Sequence, residues 1–226
     1  RGDPWTHLAT VGTVAVTAAQ AFPEVDVAYE TNRPAMSAAY VAAGGFIGTR
    51  LHEVAKLIYG NEIGGLGTAA PRFFQLEATG FDTHADQGSA ATNGLHYALL
   101  SDIGDGLAVF FEDLATLGAG GTDIRSKALV LVWSEFGRRV LQNDNGTDHG
   151  SQAPVFVVGG AVNGGIYGNY PDLQYALDFA DQYGNTPYSQ DDGNGFRSTD
   201  FRDVYGTVLK HWVNLPDEHI LSPTMI

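Results

Sequence analysis

Apolar residues recur at helical spacing over three stretches of the chain. Across residues 34–59, Met36, Tyr40, Val41, Phe46, Leu51, Val54, Ala55 and Ile58 follow one another at steps of three and four. That period predicts one or two helices, with a break at Gly44 and Gly45. Residues 95–117 put Leu99, Ile103, Leu107, Phe110, Phe111 and Leu114 on a single stripe, and residues 200–213 do the same with Phe201, Val204, Tyr205, Val208, Leu209 and Trp212. Other segments lack this period. Residues 128–133 are a continuous apolar run, the mark of a strand buried on both faces of a parallel sheet. Residues 154–158 and 72–78 read as further buried strands, and the alternation over residues 24–30 predicts an edge strand. Residues 61–71 and 159–168 are glycine-rich connections, and residues 181–198 read as a polar surface loop. Strands alternating with helices predict an α/β fold, a three-layer αβα sandwich forming one domain over residues 1–226.

Three polar clusters follow these strands or lie in the loops beyond them: Gly80-Phe81-Asp82-Thr83-His84, Ser134-Glu135-Phe136-Gly137-Arg138-Arg139 and Gly146-Thr147-Asp148-His149-Gly150. Open α/β sheets bind ligands at the carboxyl ends of their strands, so the placement is that of a site. If the chain is extended at Asp82 and His84, a two-residue step turns both side chains to one face, where carboxylate and imidazole can grip one ion. Oxygen and nitrogen donors without sulfur suit Zn, Mn, Mg or Ca. The plainer alternative makes Asp82 and Asp148 turn residues beside glycines, and His84 and His149 ordinary hydrogen-bonded histidines. His52, His96 and His211 fall in the predicted helices, where packing or surface roles suit them. Asp191-Asp192-Gly193-Asn194-Gly195 lacks the regular ligand order of a calcium loop and reads as a turn.

Charge narrows the partners. Twelve basic against 26 acidic residues give a formal charge of -14, a field that disfavours nucleic acid and anionic membrane surfaces. An anionic substrate would then need a local cation, a metal or an arginine. The absence of cysteine excludes disulfides, thiolate metal sites and cysteine nucleophiles. No stretch reaches the ~20 apolar residues of a membrane span.

At these clusters the chain resembles the domain-of-unknown-function family 1501, exported bacterial proteins grouped with alkaline phosphatases, phosphopentomutases and sulfatases. The resemblance also rests on Gln87, Gly164-Gly165-Ile166-Tyr167-Gly168 and Thr199-Asp200-Phe201-Arg202-Asp203-Val204-Tyr205. It covers about residues 50–215, and the first fifty residues match only loosely. It implies an alkaline phosphatase-like fold, with Asp82, His84 and His149 holding a divalent metal beside Asp148. It further implies Glu135 as a second ligand or general base, and Arg138 or Arg202 as donors to developing negative charge. Phe136 stands where relatives carry a second-metal ligand, and nothing before residue 50 resembles the family's nucleophile site. The chain is therefore expected to be part of a larger domain, completed by a separate N-terminal polypeptide or another copy. The function expected is an exported, metal-dependent hydrolase of phosphate or sulfate esters. Its alternative is a non-catalytic binding or assembly protein that keeps the fold.

Overall fold

A computed structural model describes residues 4–67, 71–85, 87–88, 93–143, 145–169 and 199–215, with side chains from residue 15 onward. The fold is mixed α/β. Among the described residues its α-helices are α1 (Pro4–Asn32), α2 (Pro34–Ala43), α3 (Phe46–Glu62), α4 (Leu95–Leu117) and α5 (Phe201–His211). Its strands, β1 (Leu129–Val132), β2 (Gly137–Asn143), β3 (Gly146–Gly150) and β4 (Phe156–Gly159), form two two-stranded sheets, β1 with β4 and β2 with β3. No helix among the described residues is long and apolar enough to cross a membrane. The chain divides into two compact units: Arg1–Val130 with Val157–Val162, and Leu131–Phe156 with Asn163–Ile226.

The first unit is held by a helical core. Ile47, Leu51, Val54 and Ala55 line one face of α3 and pack with Phe110, Leu114 and Leu117 of α4, Tyr29 of α1, Tyr40 of α2, and Ile124. The predicted break falls where expected: Gly44 and Gly45 take φ of 65° and 73°, a left-handed conformation open to glycine. A Cβ on Gly45 would also strike Asp102 Oδ1, 1.9 Å away. Asp102 needs that approach, because its carboxylate accepts hydrogen bonds from the Phe46 and Ile47 amides and caps α3 from α4.

One polar residue lies deep in this core. Asp113, on the buried stripe of α4, is fully buried. Its Oδ2 accepts from the Tyr29 hydroxyl at 2.6 Å and the Tyr40 hydroxyl at 3.3 Å, while Arg33 donates Nε and Nη2 to Oδ1 at 2.9 and 2.5 Å. Arg33 also reaches the Thr116 carbonyl and hydroxyl, both at 2.9 Å. Burial first and Asp113 second push the Tyr29 hydroxyl above its ordinary range, which keeps it a donor. A buried charge is tolerated only with such partners, and here they tie α1, the start of α2 and α4 together.

Three expectations are corrected. Residues 24–30 are helical, because Val25 and Tyr29, four apart, are the buried pair while Val27 is 64% exposed. Residues 72–78 are in no strand, and Phe73 is 78% exposed, so the run lacks the covering layers that a buried strand requires. Gly159 at the end of β4 lies against Ala128 and Leu129 at the start of β1, so this pair runs antiparallel. Parallel strands need a crossover of a dozen or more residues, usually a helix, whereas the described residues between β1 and β4 hold the β2–β3 hairpin. The predicted helices over 95–117 and 200–213 are α4 and α5. The 181–198 loop and the Asp191–Gly195 turn lie outside the described residues.

Candidate functional site

In the first unit the candidate residues follow Gly80, which takes a φ of 95°. Thr83 is 3% exposed and donates its amide to the Phe81 carbonyl at 2.8 Å. Thr83 is turned inward, and Asp82 and His84 on either side of it are exposed. His84 Nε2 and Asp82 Oδ1 stand 3.0 Å apart, with the side chains 48% and 65% exposed. Two ligands each about 2.1 Å from one ion stand roughly 3 Å apart, so the donor types and their spacing fit a divalent metal. The same spacing also serves an Asp–His ion pair.

In the second unit the candidates sit on the β2–β3 hairpin and the turn before it. Antiparallel pairing places Gly137 opposite Gly150, Arg138 opposite His149 and Asn143 opposite Gly146, with an irregularity between Arg138 and Gln142. Glu135 is exposed in the turn. Arg138 donates Nη1 to the Thr147 carbonyl at 2.5 Å, and Arg139 donates Nε to the His149 carbonyl at 3.1 Å. Asn143 donates Nδ2 to Asp148 Oδ1 at 2.5 Å. The His149 ring stacks on Phe136, with centroids 3.9 Å apart and planes 4° from parallel, and the Arg138 guanidinium lies 5.1 Å from the Phe136 ring centre.

Arg202 is committed locally. It donates Nε and Nη2 to the two oxygens of Asp200 at 2.8 and 2.5 Å, while Asp200 caps α5 by accepting from the Arg202 amide at 2.9 Å. Its guanidinium is therefore held, with its charge largely met, at the start of α5.

Elsewhere in the first unit, a cavity of about 490 Å³ is lined by Phe111, Asp123, Arg125, Ser126, Val158 and the Gly159-Gly160 pair. Arg125 and Asp123 pair with each other there through Nη2 and Oδ2 at 2.6 Å. None of the sequence-predicted site residues lines this cavity.

Sequence reasoning set Phe136 aside because phenylalanine ligates nothing, and so missed its stack on His149. A signal was present: the run Asn143-Asp144-Asn145-Gly146 between the two polar clusters is made of turn-forming residues, and Asn143 pairs with Gly146 across it.

No curated protein and no solved structure is significantly similar to the chain. The family model described as protein of unknown function (DUF1501) matches residues 65–182, a span holding Asp82, His84, Glu135, Arg138, Asp148 and His149 but not Arg202. With more than half of its length matched, the chain belongs to the DUF1501 family.

Proposed function

We propose that the chain is a metal-dependent hydrolase-type protein acting on phosphate or sulfate esters, exported by a bacterium. The observation that carries the reading is the outward-facing carboxylate–imidazole pair of Asp82 and His84, 3.0 Å between donor atoms. In this reading Asp82, His84 and His149 are the ligands, with Asp148 beside them, for Zn, Mn, Mg or Ca. The fold is then taken as a variant of the three-layer αβα sandwich of alkaline phosphatases and sulfatases, and a second polypeptide or a second copy as its complement.

A bound divalent ion would supply Lewis-acid polarisation of the ester and lower the pKa of a bound water. The chain's own residues do the rest. Glu135, exposed in the turn before β2, accepts the proton of the attacking water. Arg138 presents its guanidinium to the negative charge that develops on the ester oxygens. That local positive charge offsets a net charge of -14, which otherwise repels an anionic substrate.

Hydrolysis of p-nitrophenyl phosphate and p-nitrophenyl sulfate, measured with chelator and after adding back each metal, tests the proposal. Expected is turnover that chelator removes and one metal restores. Asp82→Ala should cost more than about 100-fold, because losing a ligand exceeds the 10–100-fold typical of outer-shell changes. A second reading, a protein that binds metal without catalysis, is favoured by Arg202 being held by Asp200. Metal binding without turnover of either ester would select it.

A further inference from the structure

We propose that Phe136 is a positioning residue for His149, fixing the plane of its imidazole as a metal ligand; this rests on the metal reading above.

The stack is built into the backbone. Phe136 immediately precedes Gly137, which pairs with Gly150, the residue after His149, so both rings rise from neighbouring positions of one ladder. Glycine at both paired positions lets the backbones approach closely. A Cβ on Gly137 would lie 1.5 Å from the Gln152 carbonyl oxygen, and one on Gly150 would lie 2.6 Å from the Arg138 carbonyl. At that approach the rings meet face to face at 3.9 Å and 4°.

The backbone beneath His149 is pinned as well, since Arg139 donates Nε to its carbonyl at 3.1 Å. On the Phe136 side, Arg138 anchors to the Thr147 carbonyl while its guanidinium lies 5.1 Å from the Phe136 ring centre.

Such a stack does one thing that a hydrogen bond cannot. Histidine ligands are commonly oriented by a hydrogen bond from the second ring nitrogen. Stacking restricts rotation of the ring through its face rather than its edge, and the lone pair that a metal needs lies in the ring plane. An exposed histidine held in one plane loses less freedom when it ligates. Phe136 therefore acts through His149 rather than on the substrate.

The test is titration with Zn²⁺ alone and with Mn²⁺ alone, on the full chain and its Phe136 variants. Proton NMR of the metal-free protein follows the ring-current shift that Phe136 imposes on the His149 ring protons. Expected is metal binding roughly 10-fold weaker in Phe136→Leu and Phe136→Met, with the ring-current shift lost and the circular dichroism unchanged. Phe136→Tyr should restore both the shift and the affinity. Unchanged affinity in a folded leucine or methionine variant that has lost the shift overturns the positioning role and leaves the metal reading standing. No metal binding by the parent chain, with its shift intact, overturns the metal reading and the inference with it. If both the leucine and methionine variants fail to fold, Phe136 is a packing residue of the hairpin and the proposal is wrong.

Discussion

The sequence places His52 on a helix with a packing or surface role, and the structure gives it the packing one. Its ring stacks on Tyr40 at 4.6 Å and 12°, with its side chain 12% exposed and Nε2 3.6 Å from Glu30 Oε1. Burial, and after it the Lys56 ammonium, hold its pKa below the ordinary histidine range, against the opposing pull of Glu30, Glu53 and Asp113. Because the folded-state value lies below the unfolded one, the unfolded chain takes up the proton first as pH falls. The contribution of neutral His52 is thus complete above the unfolded value of about 6.5 and is lost as pH drops towards the folded value. Urea midpoints should fall between about pH 7.5 and about pH 5.5, and His52→Gln should flatten that fall. An identical slope in the variant would show that other groups set it. Asp113 was not legible in this way, because a carboxylate in a helical stripe reads as an interruption until Arg33 and two tyrosines converge on it from sequence positions about eighty residues away.

Among the elements, α2, α3, α4 and α5 were legible because each carries an uninterrupted helical period and glycines mark the break at 44 and 45. The strand assignments fared worse. Apolar runs such as residues 72–78 and 128–133 state hydrophobicity but not partners, and the partners decided both outcomes. Only the turn-forming run Asn143-Asp144-Asn145-Gly146 marks the β2–β3 hairpin. Glycines also mark the crossing of α3 and α4, where a Cβ on Gly106 would stand 2.9 Å from the Gly48 amide nitrogen. Gly106→Ala should destabilise by about 1–3 kcal/mol, the usual cost of overpacking, although alanine itself favours a helix. Two residues earlier on α4, a Cβ on Gly104 meets nothing within 4 Å, so Gly104→Ala should stabilise by about 0.5–1 kcal/mol. Denaturant melts of the two variants check the pair, and shifts of the same sign would contradict the close crossing.

For the whole molecule, the sequence conveyed the α/β class and the family. It did not convey a division into two units, because that depends on which segments return to pack on each other: residues 157–162 belong with the first unit while residues 131–156 do not. The sequence offers Asp82, His84 and His149 as candidate donors, but it does not show what surrounds them. Thr83 turned inward and Phe136 under His149 are consequences of backbone path. The central claim is that Asp82, His84 and His149 hold a divalent ion, and the most direct measurement is metal stoichiometry. The purified chain is equilibrated with Zn²⁺ or Mn²⁺, freed of unbound metal and subjected to elemental analysis, alongside Asp82→Ala and His149→Ala. The account predicts a single ion retained per parent chain, removed by chelator, and none in either variant. Retention of no metal by the parent, or equal retention by the variants, would contradict it.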